Sequence, residues 1–215
     1  MRGDKLIIGD HHRRAAFVLS SLLLDRLGEI PPRYVITIAG ESGSGKSETA
    51  AALRDELSGP GVSCVILQQD DYFVYPPRTN DQQRRRDIGW VGTNEVRLDL
   101  LDRNLAEFKS GSPEIEKPLV IFTEDRIDRE TIDVRDPRLA IAEGTYTTLL
   151  DNVDTRVFID IDYTRTRKAR VRRARDPLDP FVERVLQIEH GIISAHKTRA
   201  DLIINADYEV RWNED

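Results

Sequence analysis

Gly40-Glu41-Ser42-Gly43-Ser44-Gly45-Lys46-Ser47 fits the pattern G-x-x-x-x-G-K-[ST], a glycine-rich loop that cradles phosphates. On its upstream side, Tyr34-Val35-Ile36-Thr37-Ile38-Ala39 is a short β-rich apolar run and predicts a buried strand. On its downstream side, residues 48–57 predict a helix with Ala50, Leu53 and Leu57 on one face. Strand, loop and helix in this order turn consecutive backbone N–H groups, and the positive end of the helix dipole, toward a phosphate. Gly40, Ser42, Gly43, Ser44, Gly45 and Glu48 are the expected phosphate-side residues. Lys46 would reach the β- and γ-phosphates, and the Ser47 hydroxyl would ligate Mg²⁺. A chance match in a chain of this length is roughly a one-per-cent event. The stretch therefore predicts a nucleoside triphosphate ligand.

The whole chain narrows the class. Its 215 residues suffice for one domain, or one domain with a small lid, around a full core. A net charge of −6 favours solubility and argues against a general nucleic-acid binder. Cys64, the single cysteine, excludes disulfides and cysteine-based zinc sites within the chain and fits a reducing cytoplasm. The Met1 region is charged and has no signal-peptide pattern, and no apolar stretch reaches membrane-spanning length. Neither nucleic acid nor membrane is expected as a partner; a homo-oligomer is left open.

Upstream of the loop, Asp10 can cap a helix over 11–27 with Ala16, Leu19, Leu23 and Leu27 on one stripe, closed by Gly28. Adjacent His11 and His12 cannot face one metal from a helix, so a solvated helix start is expected. Residues 62–67 predict the next strand, and it runs into Asp70, Asp71 and Tyr72. The carboxyl end of a strand in an open α/β sheet is where ligands bind. Paired acids also form turns and cap helices, so that bland reading stands beside the functional one. Residues 74–92 are polar and irregular, with Arg84-Arg85-Arg86 and Asp87, and read as a substrate-binding excursion or a solvated connector. Asn94 can cap a helix over 96–109. Two short strands, 119–122 and 131–134, follow around a charged loop. Residues 139–142 then form a buried strand ending at Glu143, again at a carboxyl end. Residues 156–161 and 202–205 complete the core strands.

Between those last two lies the most basic stretch, with Arg165, Arg167, Lys168, Arg170, Arg172, Arg173 and Arg175. At 100° per residue these cations point around the whole helix and leave no face to bury. Such a helix stands in solvent or closes over an anion, here as a mobile lid over triphosphate. Pro177 and Pro180 precede a helix whose stripe is Phe181, Val185, Ile188 and Ile192.

Taken together, the chain from Tyr34 to Asp207 resembles the uridine kinase and phosphoribulokinase family of P-loop small-molecule kinases. The likeness rests on Val65 through Phe73, on Glu143-Gly144-Thr145, and on the strand ending Glu130-Thr131-Ile132-Asp133-Val134. Arg172 to Asp176 and Arg199 to Ile204 add to it. It implies an α/β fold: a P-loop NTPase-type parallel sheet flanked by helices, with a small β-hairpin excursion and a helical, arginine-rich lid. The implied divisions are a phosphate-binding core (33–73), an acceptor-binding excursion and hairpin (74–134) and a lid (163–180). By that likeness Asp70 is the general base, Ser47, Asp70 and Glu143 hold Mg²⁺, and Lys46, Arg172 and Arg175 act on the transferred phosphoryl group. Asp71, Tyr72, Arg86 and Asp87 are the implied acceptor contacts. The family's nucleoside-binding tyrosine and histidine correspond here to Val120 and Asp125.

The expected activity is transfer of the γ-phosphoryl group of ATP to a hydroxyl of a small metabolite, a nucleoside first and a sugar phosphate or other anion second. Charge neutralisation by Lys46, magnesium and lid arginines, with Asp70 orienting an alcohol, is what such a transfer needs. A nucleotide switch is the rival from another class. The N-K-x-D element of guanine-specific switches is absent from the sequence, and Leu57-Ser58-Gly59-Pro60-Gly61 falls short of a transport-ATPase signature.

Overall fold

A computed structural model describes residues 1, 6–173 and 179–213. In chain order the elements are α1 (Asp10–Leu27), β1 (Tyr34–Gly40), α2 (Lys46–Ser58), β2 (Cys64–Gln68), α3 (Pro77–Arg86) and α4 (Leu98–Lys109). There follow β3 (Glu114–Ile121), β4 (Arg126–Asp133), β5 (Leu139–Gly144), β6 (Thr155–Ile159), α5 (Tyr163–Arg173), α6 (Pro180–Ile193), β7 (Leu202–Ile204) and β8 (Val210–Trp212). The main sheet runs β2-β5-β1-β6-β7-β8, parallel except for β8, and β3 and β4 form a separate antiparallel hairpin.

Alternation along the strands builds two cores, one on each face of the sheet. Ile36, Ile38, Leu139 and Ile141 meet Ala15, Leu19 and Leu23 of α1 and Leu53 and Leu57 of α2. Val35, Leu67, Ala140 and Ala142 meet Leu101, Leu105 and Phe108, one stripe of α4. Each fully buried side chain of this size contributes about 1.5–3 kcal/mol, and helices cover both faces because both are apolar. Among the described residues no helix is long and apolar enough to cross a membrane.

Departures from the sequence expectations have local causes. Helix α1 begins at Asp10, with Gly9 at the N-cap position, so Asp10 sits in the first turn and does not cap. Helix α2 begins at Lys46, two residues early, because Gly45 in the left-handed region (φ 88°) turns the chain directly into it. The supposedly irregular 74–92 contains α3. Pro77 opens that helix, and Asp125 of the hairpin turn accepts from the Arg78 and Thr79 amides at 2.6 and 3.2 Å, a cap from a distant segment. Asn94 caps nothing in α4: Val74 N–H bonds Glu95 O and Arg97 N–H bonds Tyr72 O, which holds Val96 extended beside Phe73, and the helix starts at Leu98.

The hairpin strands are also longer than the apolar runs that flagged them, because β4 is largely exposed and carries charges. Strands expected at 62–67, 139–142, 156–161 and 202–205 shift by one or two residues at their ends. Edge strand β8, three residues with no apolar run, gave no signal. On α6 the core residues are Val185, Leu186 and Ile193, so the stripe is rotated from Phe181, Ile188 and Ile192.

Candidate active site

Strand register brings the predicted acids to one edge. Gln68 of β2 and Ile38 of β1 both pair with Glu143 of β5, so the chain leaving β2, the phosphate loop and Glu143 share a line across three strands. Gly144 permits this crowding: a Cβ there would lie 2.2 Å from the Gln69 Cβ. Gln69 in turn accepts from the Tyr146 amide at 2.7 Å, which ties the β2 and β5 exits together.

Within the loop, the Lys46 ammonium donates to the Glu41 carbonyl at 2.9 Å. Lys46, Ser47 and Glu48 form the first turn of α2, at the positive end of its dipole; Glu48 is buried. The Ser47 hydroxyl donates to Glu143 Oε1 at 2.9 Å. Burial, and then the Asp70 charge, push the Glu143 carboxyl up to about 7, against the pull of Lys46 and Ser47. One hydroxyl and two carboxylates are hard oxygen donors and suit Mg²⁺, which fills its other positions with water and phosphate oxygens. No cluster of three or more His, Cys, Asp or Glu among the described residues forms a metal cage.

The raised Glu143 value has a testable consequence. The folded state binds this proton between the ordinary 4.5 and about 7, so the group makes stability fall as pH rises through that window. With metal chelated, Glu143→Gln is expected to flatten that fall, so its melting temperature relative to wild type climbs between about pH 5 and pH 8. A difference that stays constant across the range would mean that Glu143 titrates like a surface carboxylate.

The adjacent acids part company. Asp70 is exposed and lines a cavity of about 540 Å³. Asp71 is buried and turned away: Oδ2 accepts from Lys117 Nζ at 2.8 Å and Oδ1 from the Val120 amide at 3.0 Å. It fastens the hairpin to the exit of β2, and Val120 is fully buried there. Tyr72 is fully buried, its hydroxyl donating to Asn104 of α4 at 2.9 Å. Asp71 and Tyr72, which the likeness implied as acceptor contacts, are thus held by the hairpin and by α4 and do not line the cavity.

The cavity opens in front of Asp70, between α3, the hairpin turn and α6, with Phe73, Asn80, Arg84, Phe122 and Glu189 among its lining. Of the arginine triplet, Arg84 and Arg85 line it, while Arg86 is exposed at the helix end and does not. Asp87 is exposed too and accepts from the Gly89 amide, so Arg86 and Asp87 fall outside the cavity. Asp125 is committed to α3. Arg85 is paired with Asp81 at 2.8 Å and Asp179 at 2.6 Å. Arg84 bridges Glu95 and Glu189 at 2.5 and 3.0 Å. Sequence reasoning missed Glu95 and Glu189, which carry no motif and are recognisable only once α3 and α6 are brought face to face.

Helix α5 is not without a buried face. Thr166 and Arg170 are buried: Thr166 Oγ1 donates to the Ser42 carbonyl at 2.8 Å, and Arg170 donates to Tyr163 O, to Thr166 Oγ1 and to Glu183. A guanidinium with partners on several sides can be buried, which a periodicity argument does not see. The Arg172 side chain and all of Arg175 lie outside the described residues.

Glu41 links three elements, accepting from the Tyr163 amide and from His190 Nδ1, both at 2.6 Å. His12 is buried, not solvated. Gly45 leaves room for it, since a Cβ there would lie 2.6 Å from His12 Nε2, and beside it Tyr208 donates to the Ser44 carbonyl at 2.8 Å.

Residues 35–177 match the model of the phosphoribulokinase / uridine kinase family. The chain is 32% identical to the bifunctional alpha-galactosidase/sucrose kinase AgaSK of Mediterraneibacter gnavus over 85% of its own length, and spans 21% of that much longer protein. It is 29% identical to a uridine kinase of Staphylococcus epidermidis, over 79% of this chain and 86% of that one. A solved structure described as a possible uridine kinase from Bacillus stearothermophilus superposes with a TM-score of 0.60 at 21% identity, covering 89% of this chain and 97% of the other.

Proposed function

The chain belongs to the phosphoribulokinase / uridine kinase family, and on that premise we propose that it transfers the γ-phosphoryl group of ATP to a hydroxyl of a small neutral polyol, a carbohydrate before a nucleoside. The observation that carries the acceptor class is the make-up of the cavity in front of Asp70. Aromatic side chains of Phe73, Tyr75 and Phe122 stand among Asn80, Asp81 and Glu189, and of its three arginines Arg84 and Arg85 are each held by two carboxylates while Arg78 donates to the Thr123 carbonyl. Cations already neutralised offer little to a second phosphate, while mixed donors, acceptors and ring faces suit a sugar.

In this reading Lys46 and the amides of residues 43–47 hold the β- and γ-phosphates at the positive end of α2. Asp70 orients the acceptor hydroxyl and takes its proton as the new P–O bond forms. Magnesium, held by Ser47, Glu143 and Asp70, would neutralise charge on the phosphate oxygens. Cations of α5 would close over the triphosphate, and Thr166 on Ser42 hinges that helix to the loop.

Nucleoside phosphorylation is the second reading, favoured by the relatives named uridine kinase. Against it, Val120 on hairpin strand β3 is fully buried and Asp125 caps α3, so neither is free to read a base. ADP release measured against neutral mono- and disaccharides, nucleosides and sugar phosphates tests both. The largest kcat/KM is expected with a neutral carbohydrate. Uridine or cytidine as the best acceptor would favour the nucleoside reading, and ADP release indifferent to every acceptor would overturn the kinase reading.

A further inference from the structure

We propose that Arg84 and Glu189 together form the specificity clamp of the acceptor cavity, gripping neighbouring hydroxyls of a neutral acceptor and turning anionic acceptors away. This rests on the kinase reading above and names the residues that choose its substrate.

The pair is assembled from distant parts of the chain. Arg84 comes from α3 and Glu189 from α6; both line the cavity, and Arg84 Nη2 donates to Glu189 Oε1 at 3.0 Å. Behind them the arrangement is held fast. Glu95, fully buried, accepts from Arg84 Nε and Nη2, from Asn80 Nδ2 and from the Gly92 amide. Trp90 Nε1 donates to Asn80 Oδ1 at 2.9 Å and fixes the amide's orientation. A guanidinium has five N–H groups, and those three bonds leave both Nη1 hydrogens without a described acceptor. Glu189 Oε2 likewise has no described donor. The Tyr146 hydroxyl, buried beside the same charges, has no partner among the described residues.

Side by side, then, stand a rigid donor and a rigid acceptor on the cavity wall. A hydroxyl both accepts and donates, so two adjacent hydroxyls can satisfy both groups at once. Charge adds direction at the clamp itself, where one guanidinium faces the two carboxylates Glu95 and Glu189, although Arg78 and Arg85 also line the cavity. Burial, and the Glu95 charge after it, raise the Glu189 carboxyl above its ordinary value despite Arg84. A phosphate or carboxylate brought against that surface would meet repulsion, whereas a polyol would donate to it.

The test uses Glu189→Gln, which keeps size and one carbonyl oxygen but removes the charge. Hydrogen bonds to charged groups are strong enough that the acceptor KM should rise about 10- to 100-fold, by more than kcat falls. Preference for a neutral acceptor over its phosphorylated counterpart should shrink, while melting temperature and ATP affinity stay near wild type. Arg84→Lys keeps a charge opposite Glu95 but loses the fork, and it should raise KM in the same sense. A folded Glu189→Gln with unmoved acceptor KM, or a wild type that prefers anionic acceptors, would overturn the assignment alone. A wild type that ignores every acceptor would strike down the kinase reading and this assignment together.

Discussion

Asp70→Asn is expected to lower kcat by at least about a hundredfold while leaving ATP affinity within a few-fold. The substitution keeps the side chain's size but removes the proton acceptor that faces the cavity. Its neighbour makes the control. Asp71→Asn removes the charge opposite a buried ammonium, and breaking a buried pair costs about 3–5 kcal/mol. Glu130, 2.7 Å from the same Lys117 nitrogen, should hold the loss at the low end of that range. The expected outcome is a less stable protein whose folded fraction still turns over, read from urea unfolding beside kcat at saturating ATP. A dead, stable Asp71→Asn with a near-normal Asp70→Asn would reverse the two roles.

Lys46→Ala should cut phosphoryl transfer by about 10³-fold or more, since it removes the cation on the β/γ-phosphates where charge develops. The Lys46 ammonium donates to a carbonyl of its own loop and belongs to neither apolar core, so the fold should survive. Circular dichroism and melting temperature check that, and single-turnover ADP formation measures the loss. Normal turnover by a folded Lys46→Ala would mean that the glycine loop does not hold the reacting phosphates.

The parts legible in the sequence are those where local chemistry and the fold coincide. The 40–47 loop needs its glycines for backbone reasons alone, and the strands of the sheet are apolar because both faces are covered. The carboxyl-end acids could be ranked only as far as alternation reached. That Asp70 faces outward and Asp71 inward depends on the short turn at Gln69–Tyr72, which breaks the strand. Helix α3 was illegible because its cap, Asp125, stands 47 residues from Arg78 in sequence. Composition reads Arg170 as one more solvated cation, because it cannot show that Thr166, Tyr163 and Glu183 surround its guanidinium. Glu95 and Glu189 belong to no motif; their meaning is purely spatial.

The path from β2 to β5 has a consequence for how this protein could diverge. These strands are neighbours, and α4 alone would serve as the crossover between them. Helix α3 is added before α4 and the β3–β4 hairpin after it, so both walls of the cavity are additions to that crossover. Changes at their exposed positions leave the strand pairing of the main sheet intact, while the Asp71–Lys117 pair and Ile115 in the core under α4 tie the base of the hairpin down. The two appendages are not independent, however. Asp125 of one caps the other, so a lineage that shortens the hairpin must find α3 a new first-turn partner. Changes of diet, in molecular terms, should therefore arrive as paired edits on either side of an α4 that hardly changes.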